Sequence, residues 1–383
     1  MSYTPWVQGD AEPWATVNAN FENFDAADLD AIPTSYLDTD DTLAANSDAK
    51  LATQQAVKSY VDTAIAAAGL DNFAEALATD APNATANVVS LSAIGSASSI
   101  DVALVPKGAN GSVLAAVPDG SAAGGDKRGL QAVDLQTQRN ASTQVASGDY
   151  AVLSGGYRNT ASGSYSAVAG GQSCVASGSY SFAAGQVCSA SGNSSVALGN
   201  GTASAQSSVA LGAGTADGPF SLTLGQYSKA RGIRGVFAHG SGRISSFGEE
   251  FESLRVVLGM QTTNNTQTTL SVDASSVSSD NQLSLPNSSA LVVRGYCVAR
   301  QNSTGDTAAW GFDAVIRRGA NAAATAMVAA CTPTLIAADA GAAAWALAVD
   351  ADTTNGCLRV RGTGETSKSI IWSCVLTAAQ TVG

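Results

Sequence analysis

Histidine is almost missing from this sequence: His239 is the one copy in 383 residues. Imidazole triads and dyads, and His-rich zinc sites, would all have to use it, so most hydrolase mechanisms are poor descriptions of the chain. His239 reads as a polar residue closing a repeat array; the sharper alternative is that a three-fold axis gathers three copies into a metal or anion site. Basic side chains are also scarce, since 19 Lys and Arg stand against 31 Asp and Glu and leave a net charge of −12. A polyanion is bound through clustered cations, and nucleic acid is therefore not an expected partner. Aromatics number only 23, while Gly, Ala, Ser and Thr fill long stretches. Large side chains supply most buried area, so several thin modules are expected rather than one thick core.

Long apolar runs are absent as well. Even the Ala-rich stretch 320–349 is broken by Thr325, Thr332, Pro333, Asp339 and Gly341, which excludes a helical membrane span. The six cysteines (Cys174, Cys188, Cys297, Cys331, Cys357, Cys374) form no CxxC pair. The residues from Met1 to Trp6 show neither a basic nor an apolar leader region, so a reducing cytoplasm and six buried, inert thiols are expected. The rival reading is that Cys174 and Cys188, fourteen residues apart inside a repeat, stack closely enough to oxidise after cell lysis.

Five segments are expected along the chain. Residues 1–48 carry ten acidic side chains, no Lys or Arg, and six aromatics. Too short for a core of its own, this piece reads as a docking arm with Trp6, Trp14, Phe21 and Phe24 as anchors, or as a frayed acidic tail. Residues 49–69 predict a helical stalk: Thr53 caps it, Gly69 stops it, and Val57, Val61, Ile65 and Ala68 make a narrow stripe suited to a short parallel bundle. Residues 70–146 alternate short apolar runs with turns and predict a β connector. Its Gly-rich piece 120–125 lacks the GK[ST] ending of a phosphate loop.

The strongest pattern begins at Gly148. Gly148, Gly163, Gly178, Gly192, Ala205, Gly218 and Gly232 recur every 13 to 15 residues, and a second glycine follows seven residues after each of the first six. Small and apolar residues fill the intervals, which predicts a β-solenoid with two tight corners per coil over residues 147–240. Such lean coils are expected not to enclose a core by themselves, and to share it among several copies about an axis. Residues 248–383 change character: short apolar segments alternate with Asn, Asp, Ser and Gly turns, which predicts an antiparallel β-sandwich with Trp310, Trp345 and Trp372 in its core. Asn302, Asp306, Asp352, Asn355 and Glu365 lie in its loops and are the candidate contacts for a sugar-bearing receptor. For glycan cleavage, Asp313 with Asp350 or Glu365 is the candidate carboxylate pair.

The repeat from Ala161 to Gly171 and its successors to Gly199 resembles the head repeats of trimeric autotransporter adhesins, which form a trimeric left-handed β-roll. The stretch from Leu51 to Asp62 resembles the helical signature of tailed-bacteriophage fibre proteins, and 101–108, 348–356 and 370–372 look phage-like too. A surface autotransporter needs a leader and a membrane barrel segment, neither of which is found here, so the phage fibre is the preferred resemblance. It implies a mainly β homotrimer, assembled in the host cytoplasm, that serves as a tail fibre in the virion. The arm would dock on other virion proteins, and the tip would bind a host-surface glycan or outer-membrane component. No enzymatic activity, cofactor or metal is expected. The alternatives are a capsid-attached head fibre and a tailspike enzyme degrading host glycan.

Overall fold

The computed structural model describes residues 37–38, 51–52, 57–62, 73–78, 88–93, 111–243 and 250–382. The chain divides into two units, Met1–Ala103 and Leu104–Gly383. In the first, Leu37–Asp38 pairs in parallel with Leu51–Ala52, and Phe73–Ala78 pairs antiparallel with Val88–Ala93. Residues 57–62 are helical, with Lys58 Nζ 2.5 Å from Asp62 Oδ2. The remainder of the expected helix, and the anchors Trp6, Trp14, Phe21 and Phe24, lie outside the described residues.

The second unit opens as a β-solenoid. Parallel pairing couples Val113, Val133, Val152, Ala167, Phe182, Val196, Val209, Leu222 and Phe237 from coil to coil. A second ladder couples Thr160, Val175, Ser189, Thr202 and Thr215. Each coil thus has two short strands, as two glycine corners per coil require. The glycines are forced by coil stacking: a Cβ on Gly163 would sit 2.1 Å from the Gly178 carbonyl oxygen. Among the described residues of this unit parallel pairing is already present at Val113, ahead of the expected boundary at 147, and residues 113–146 supply coils. Gly129, whose Cβ would meet the Gly148 carbonyl at 2.2 Å, occupies the same column. Its longer spacing hid it from the period.

The expectation that one chain cannot enclose the coil interior is also corrected. Ala161, Ala176, Ala190, Ala203 and Ala216 are fully buried within a single chain, as are Ala183, Ala197 and Ala210 of the other strand. The coil is narrow enough that a methyl group fills it. Eleven of the fifteen members of this core are alanine, each worth about 0.8 kcal/mol of burial against roughly 1.5–3 for a leucine. The hydrogen-bond ladder therefore carries a larger share of the solenoid's cohesion than in an ordinary domain.

One end of this interior is plugged by charge. Asp134, fully buried, lies 2.7 Å from Arg128 Nε and 3.1 Å from Arg139 Nη2. Above it, Gln136 Oε1 accepts from the Asn159 amide at 2.7 Å and Asn159 Oδ1 accepts from the Cys174 amide at 2.9 Å. Cys174 and Cys188 form a disulfide. For these two the expectation of inert thiols gives way to the rival reading: consecutive coils set their Cα atoms 4.6 Å apart, within bridging reach. Cys297, Cys331, Cys357 and Cys374 are free.

Beyond the last solenoid strand, β1 (Phe237–Arg243), the ladder turns antiparallel. Strands β2 (Glu250–Thr262), β3 (Ser289–Gln301), β4 (Thr307–Arg318), β5 (Thr325–Met327) and β6 (Thr334–Ala338) belong to the same sheet. A smaller sheet is built on β7 (Ala346–Asp352) and β8 (Cys357–Thr363), and the last strand, β9 (Ile370–Val382), returns to the large one. The large sheet runs β1-β2-β9-β3-β4, with β5 and β6 both on the edge of β4. Strand β8 pairs with β7 on one side and with Thr268–Thr269 and Leu283–Ser284 on the other. Strict alternation along β3 and β9 puts one face of the large sheet inside. That face shares a core with Leu270, Leu283, Val349, Leu358 and Val360 around the smaller sheet. Trp310 stacks on Trp372 at 5.5 Å, Trp345 tilts against Trp372, and all three are buried, as expected of core residues. Gly295 leaves the space that the Phe312 ring fills.

Candidate functional site

The solenoid joins the module at the end of the sheets where Ser289, Arg318 and Val382 lie side by side. Arg234 of the solenoid donates its amide to the Asp280 carbonyl at 2.8 Å, and the Lys229 amide donates to Glu252 Oε1 at 2.5 Å. Arg231 also pairs with Glu252. The opposite end carries the rim, where Thr262, Gln301 and Ile370 are neighbours.

Three of the five receptor candidates reach this rim. Asn302, in the β3–β4 hairpin, donates its carboxamide to Ser369 Oγ at 3.0 Å, and Gln261 donates to the same hydroxyl at 2.7 Å. Asp306 closes the hairpin by accepting from Thr304 Oγ1 at 2.6 Å. It packs on Gly341, where an added Cβ would lie 2.3 Å from Asp306 Oδ2. Glu365 Oε2 lies 2.7 Å from Lys368 Nζ, which also donates to the Gly341 carbonyl at 2.7 Å. Asp306 and Glu365 thus approach the residue-341 segment from two different loops. Beside Asn302 a hollow of about 260 Å³ is lined by Val298, Arg300, Thr307, Ile371 and Ser373.

The other two candidates are at the solenoid end. Asp352 is buried and holds its own turn, accepting from the amides of Thr354 and Asn355 and from the Asn355 carboxamide at 2.9–3.1 Å. Burial pushes its pKa up, but these hydrogen bonds outweigh burial and hold it below the usual carboxylate value. Asn355 borders a hollow with Arg231 and Arg318. The candidate carboxylates for cleavage are likewise parted. Asp313 is on the outer face of β4 with Arg294 Nε at 2.8 Å, which lowers its pKa. Asp350 is on β7 in the other sheet, paired with Arg359 at 2.7 Å and with Arg361. His239 is exposed on β1, between Leu224 and Ser253. Among the described residues, no three His, Cys, Asp or Glu side chains converge as metal ligands would.

Sequence reasoning passed over the aromatic side chains of the solenoid corners. Tyr150, Tyr165 and Tyr180 stack with ring centroids 4.8 and 5.1 Å apart and planes within 5°. They are 38, 51 and 61 % exposed, an aromatic column facing solvent. The signal that would have found them is the Gly-Asp-Tyr or Gly-Ser-Tyr triplet recurring at the first corner of three consecutive coils, from Gly148, Gly163 and Gly178. The outer face of the solenoid's longer strand is apolar too, with Phe182, Leu224 and Phe237 exposed. Through β1–β2 pairing it continues onto the outer face of the large sheet, where Val257, Val292, Tyr296, Val315 and Ile371 are exposed.

No family model and no curated protein matches the chain. Among solved structures it is similar to the tailspike protein gp49 of Acinetobacter baumannii bacteriophage Fri1, a capsular polysaccharide depolymerase. The match has 7% identity and a TM-score of 0.21, and covers 65% of this chain and 44% of the other. The tailspike protein of A. baumannii phage AM24 matches at 8% identity and TM-score 0.20 over 70% of this chain and 52% of the other. The chain spans about half the length of these two proteins. The first of them being a depolymerase, the expectation of no enzymatic activity is withdrawn, and neither glycan cleavage nor glycan binding is argued from the likeness. At these TM-scores the choice between the two rests on this chain's own residues.

Proposed function

We propose that this chain is a bacteriophage tail fibre or tailspike protein that engages a polysaccharide of the host cell surface through the rim of its C-terminal module. The observation that carries the reading is the convergence of Asn302, Asp306, Glu365, Gln261 and Ser369 at the rim farthest from the solenoid. Amide, hydroxyl and carboxylate groups of this kind match the dense hydroxyls of a sugar. Three copies, associated through the continuous outer apolar face of the solenoid and the large sheet, would present three such rims and convert shallow contacts into firm attachment. In this reading the module is a β-sandwich tip, and the N-terminal arm docks on the virion.

Cleavage of the bound glycan is the second reading, favoured by the approach of Asp306 and Glu365 to one segment of the rim. Purified protein incubated with host capsular polysaccharide tests both. Asn302→Ala and Asp306→Ala are expected to weaken binding about tenfold, the scale of one or two lost polar contacts. If cleavage occurs, Glu365→Gln and Asp306→Asn abolish release of reducing ends while binding persists. Unchanged binding by the rim variants would remove the rim from either role.

A further inference from the structure

The tyrosine column is one part of a longer ladder. The amides of Tyr150, Tyr165, Tyr180, Ser194, Ser207, Phe220 and Gly235 donate in turn to the carbonyls of Leu130, Asp149, Ser164, Ser179, Asn193, Gln206 and Pro219, all at 2.7–2.9 Å. These residues therefore occupy one corner position in successive coils. From Tyr150 to Phe220 each has the same left-handed backbone, with φ between 53° and 59°. The column reads aromatic, aromatic, aromatic, serine, serine, aromatic. Tyr165 covers one face of Tyr180, and the Arg234 guanidinium, 5.1 Å from the ring centroid, covers one face of Phe220. The remaining faces of Tyr180 and Phe220 look toward each other across the two serine coils. Three steps of about 4.8 Å, less one ring thickness, leave a slot roughly 11 Å long between the two aromatic walls. Its floor is polar: Ser194 and Asn193 are exposed and linked by a 3.0 Å hydrogen bond, and Gln206 is exposed beside Ser207.

The geometry points to this gap as a second glycan site, on the flank of the solenoid, that takes about one disaccharide of a neutral hexopyranose chain. An electron-rich ring face attracts the polarised C–H face of a pyranose, while hydroxyl and carboxamide groups on the floor meet the equatorial hydroxyls. The one charged side chain of the slot's two serine coils, Asp217 at the end of the second, accepts from the Gly232 amide of a later coil at 2.9 Å, and a carboxylate there favours a neutral sugar over an acidic one. A second copy of the chain is a poorer occupant. Packed in register, it would bring its own Ser194 and Ser207 to the same height and leave the space between the walls unfilled.

The inference rests on the proposal that the protein engages surface polysaccharide, and its test separates the two. Wild-type protein, Ser194→Tyr, Tyr180→Ala, Phe220→Ala and the rim double variant Asn302→Ala/Asp306→Ala are applied to arrayed capsular polysaccharides and O-antigen chains. Ser194→Tyr continues the stack in a backbone conformation that tyrosine already adopts three times. It is expected to fold, to melt no lower than wild type, and to block the slot. Ser194→Tyr and Tyr180→Ala should each weaken flank binding about tenfold, and the rim variant should retain that component. If both slot variants bind as wild type does, the slot is wrong and the rim reading stands. If wild type binds no polysaccharide, both fall. A change in oligomeric state of Ser194→Tyr by light scattering would make the slot a contact between copies and overturn the site. Should Ser194→Tyr fail to fold, Tyr180→Ala and Phe220→Ala decide the same question.

Discussion

At the scale of single residues, the solenoid is held by side chains that are not there. Gly171 has φ 108°, and a Cβ added to it would lie 1.9 Å from the Gly185 carbonyl oxygen. Both objections act together, since the conformation is strained for any L-residue and the space is taken by backbone that cannot rotate away. Gly171→Ala is accordingly expected to cost about 2–5 kcal/mol, seen as a lower midpoint in chemical denaturation followed by circular dichroism. A midpoint within error of wild type would show that neighbouring coils slide apart at little cost. The natural exception fixes the sense of the strain. At Ala205, where the first glycine column carries a methyl, the amide bond to Ala216 is 3.5 Å, against 3.2 Å at Gly163, Gly178 and Gly192. A methyl there is accepted by stretching one hydrogen bond of the ladder.

Elements need ends, and the two ends of the solenoid are closed by different means. At the first coils the alanine interior is replaced by Asp134 between Arg128 and Arg139, with side chains at most 1 % exposed. Gln136 and Asn159 continue the polar plug toward the disulfide. Arg128 Nη1 and Arg139 Nη2 also donate to the carbonyls of Gly124 and Gln136, so the guanidinium groups tie down the chain that crosses the open end. Removing one member of a buried ion network leaves the others uncompensated. Asp134→Ala is therefore expected to destabilise by about 3–5 kcal/mol and to unfold the first coils before the rest, measured as hydrogen-exchange protection lost first between residues 113 and 160. Uniform loss along the whole solenoid would instead mean that the coils unfold as one unit. At the far end no plug is needed. The ladder passes into β2, Glu252 receives Lys229 and Arg231, and the tryptophan-rich core takes over.

For the whole molecule, the decisive surface is the apolar strip that leaves the solenoid strands and spreads over the outer face of the large sheet. Val257, Val292, Tyr296, Val315 and Ile371 are between 44 and 58 % exposed, a density of open apolar groups more typical of interfaces than of monomer surfaces. Arg294 and Asp313, 2.8 Å apart amid these residues, pair with each other, which offsets part of the desolvation cost of covering them. Multi-angle light scattering is expected to give three copies per particle. Val292→Glu with Tyr296→Glu should shift the particle toward a monomer whose circular dichroism is still that of folded β structure. A folded wild-type monomer would refute the association, although the enclosed alanine interior shows that the solenoid fold itself does not require it.

The sequence by itself determined the period. Glycines at corners and alanines between them leave few arrangements in which backbone groups pair and methyls are buried, and stacked parallel coils are the one they favour. It likewise determined the inside face of the C-terminal strands, because alternation at period two is a local property, and it placed all three tryptophans in the core correctly. Tertiary structure decided what depends on position across coils and loops. It carried the ladder back at least to Val113, where irregular spacing hid the repeat, and it joined Cys174 to Cys188. It sent Asp352 and Asn355 to one end of the module and Asn302, Asp306 and Glu365 to the other. It also aligned Tyr150, Tyr165 and Tyr180 into one column and left the gap above Ser194 and Ser207. The physical reason is common to all of these: a side chain's neighbours in a solenoid are one coil away, and the length of each coil is set by the turns it contains, which composition alone does not fix.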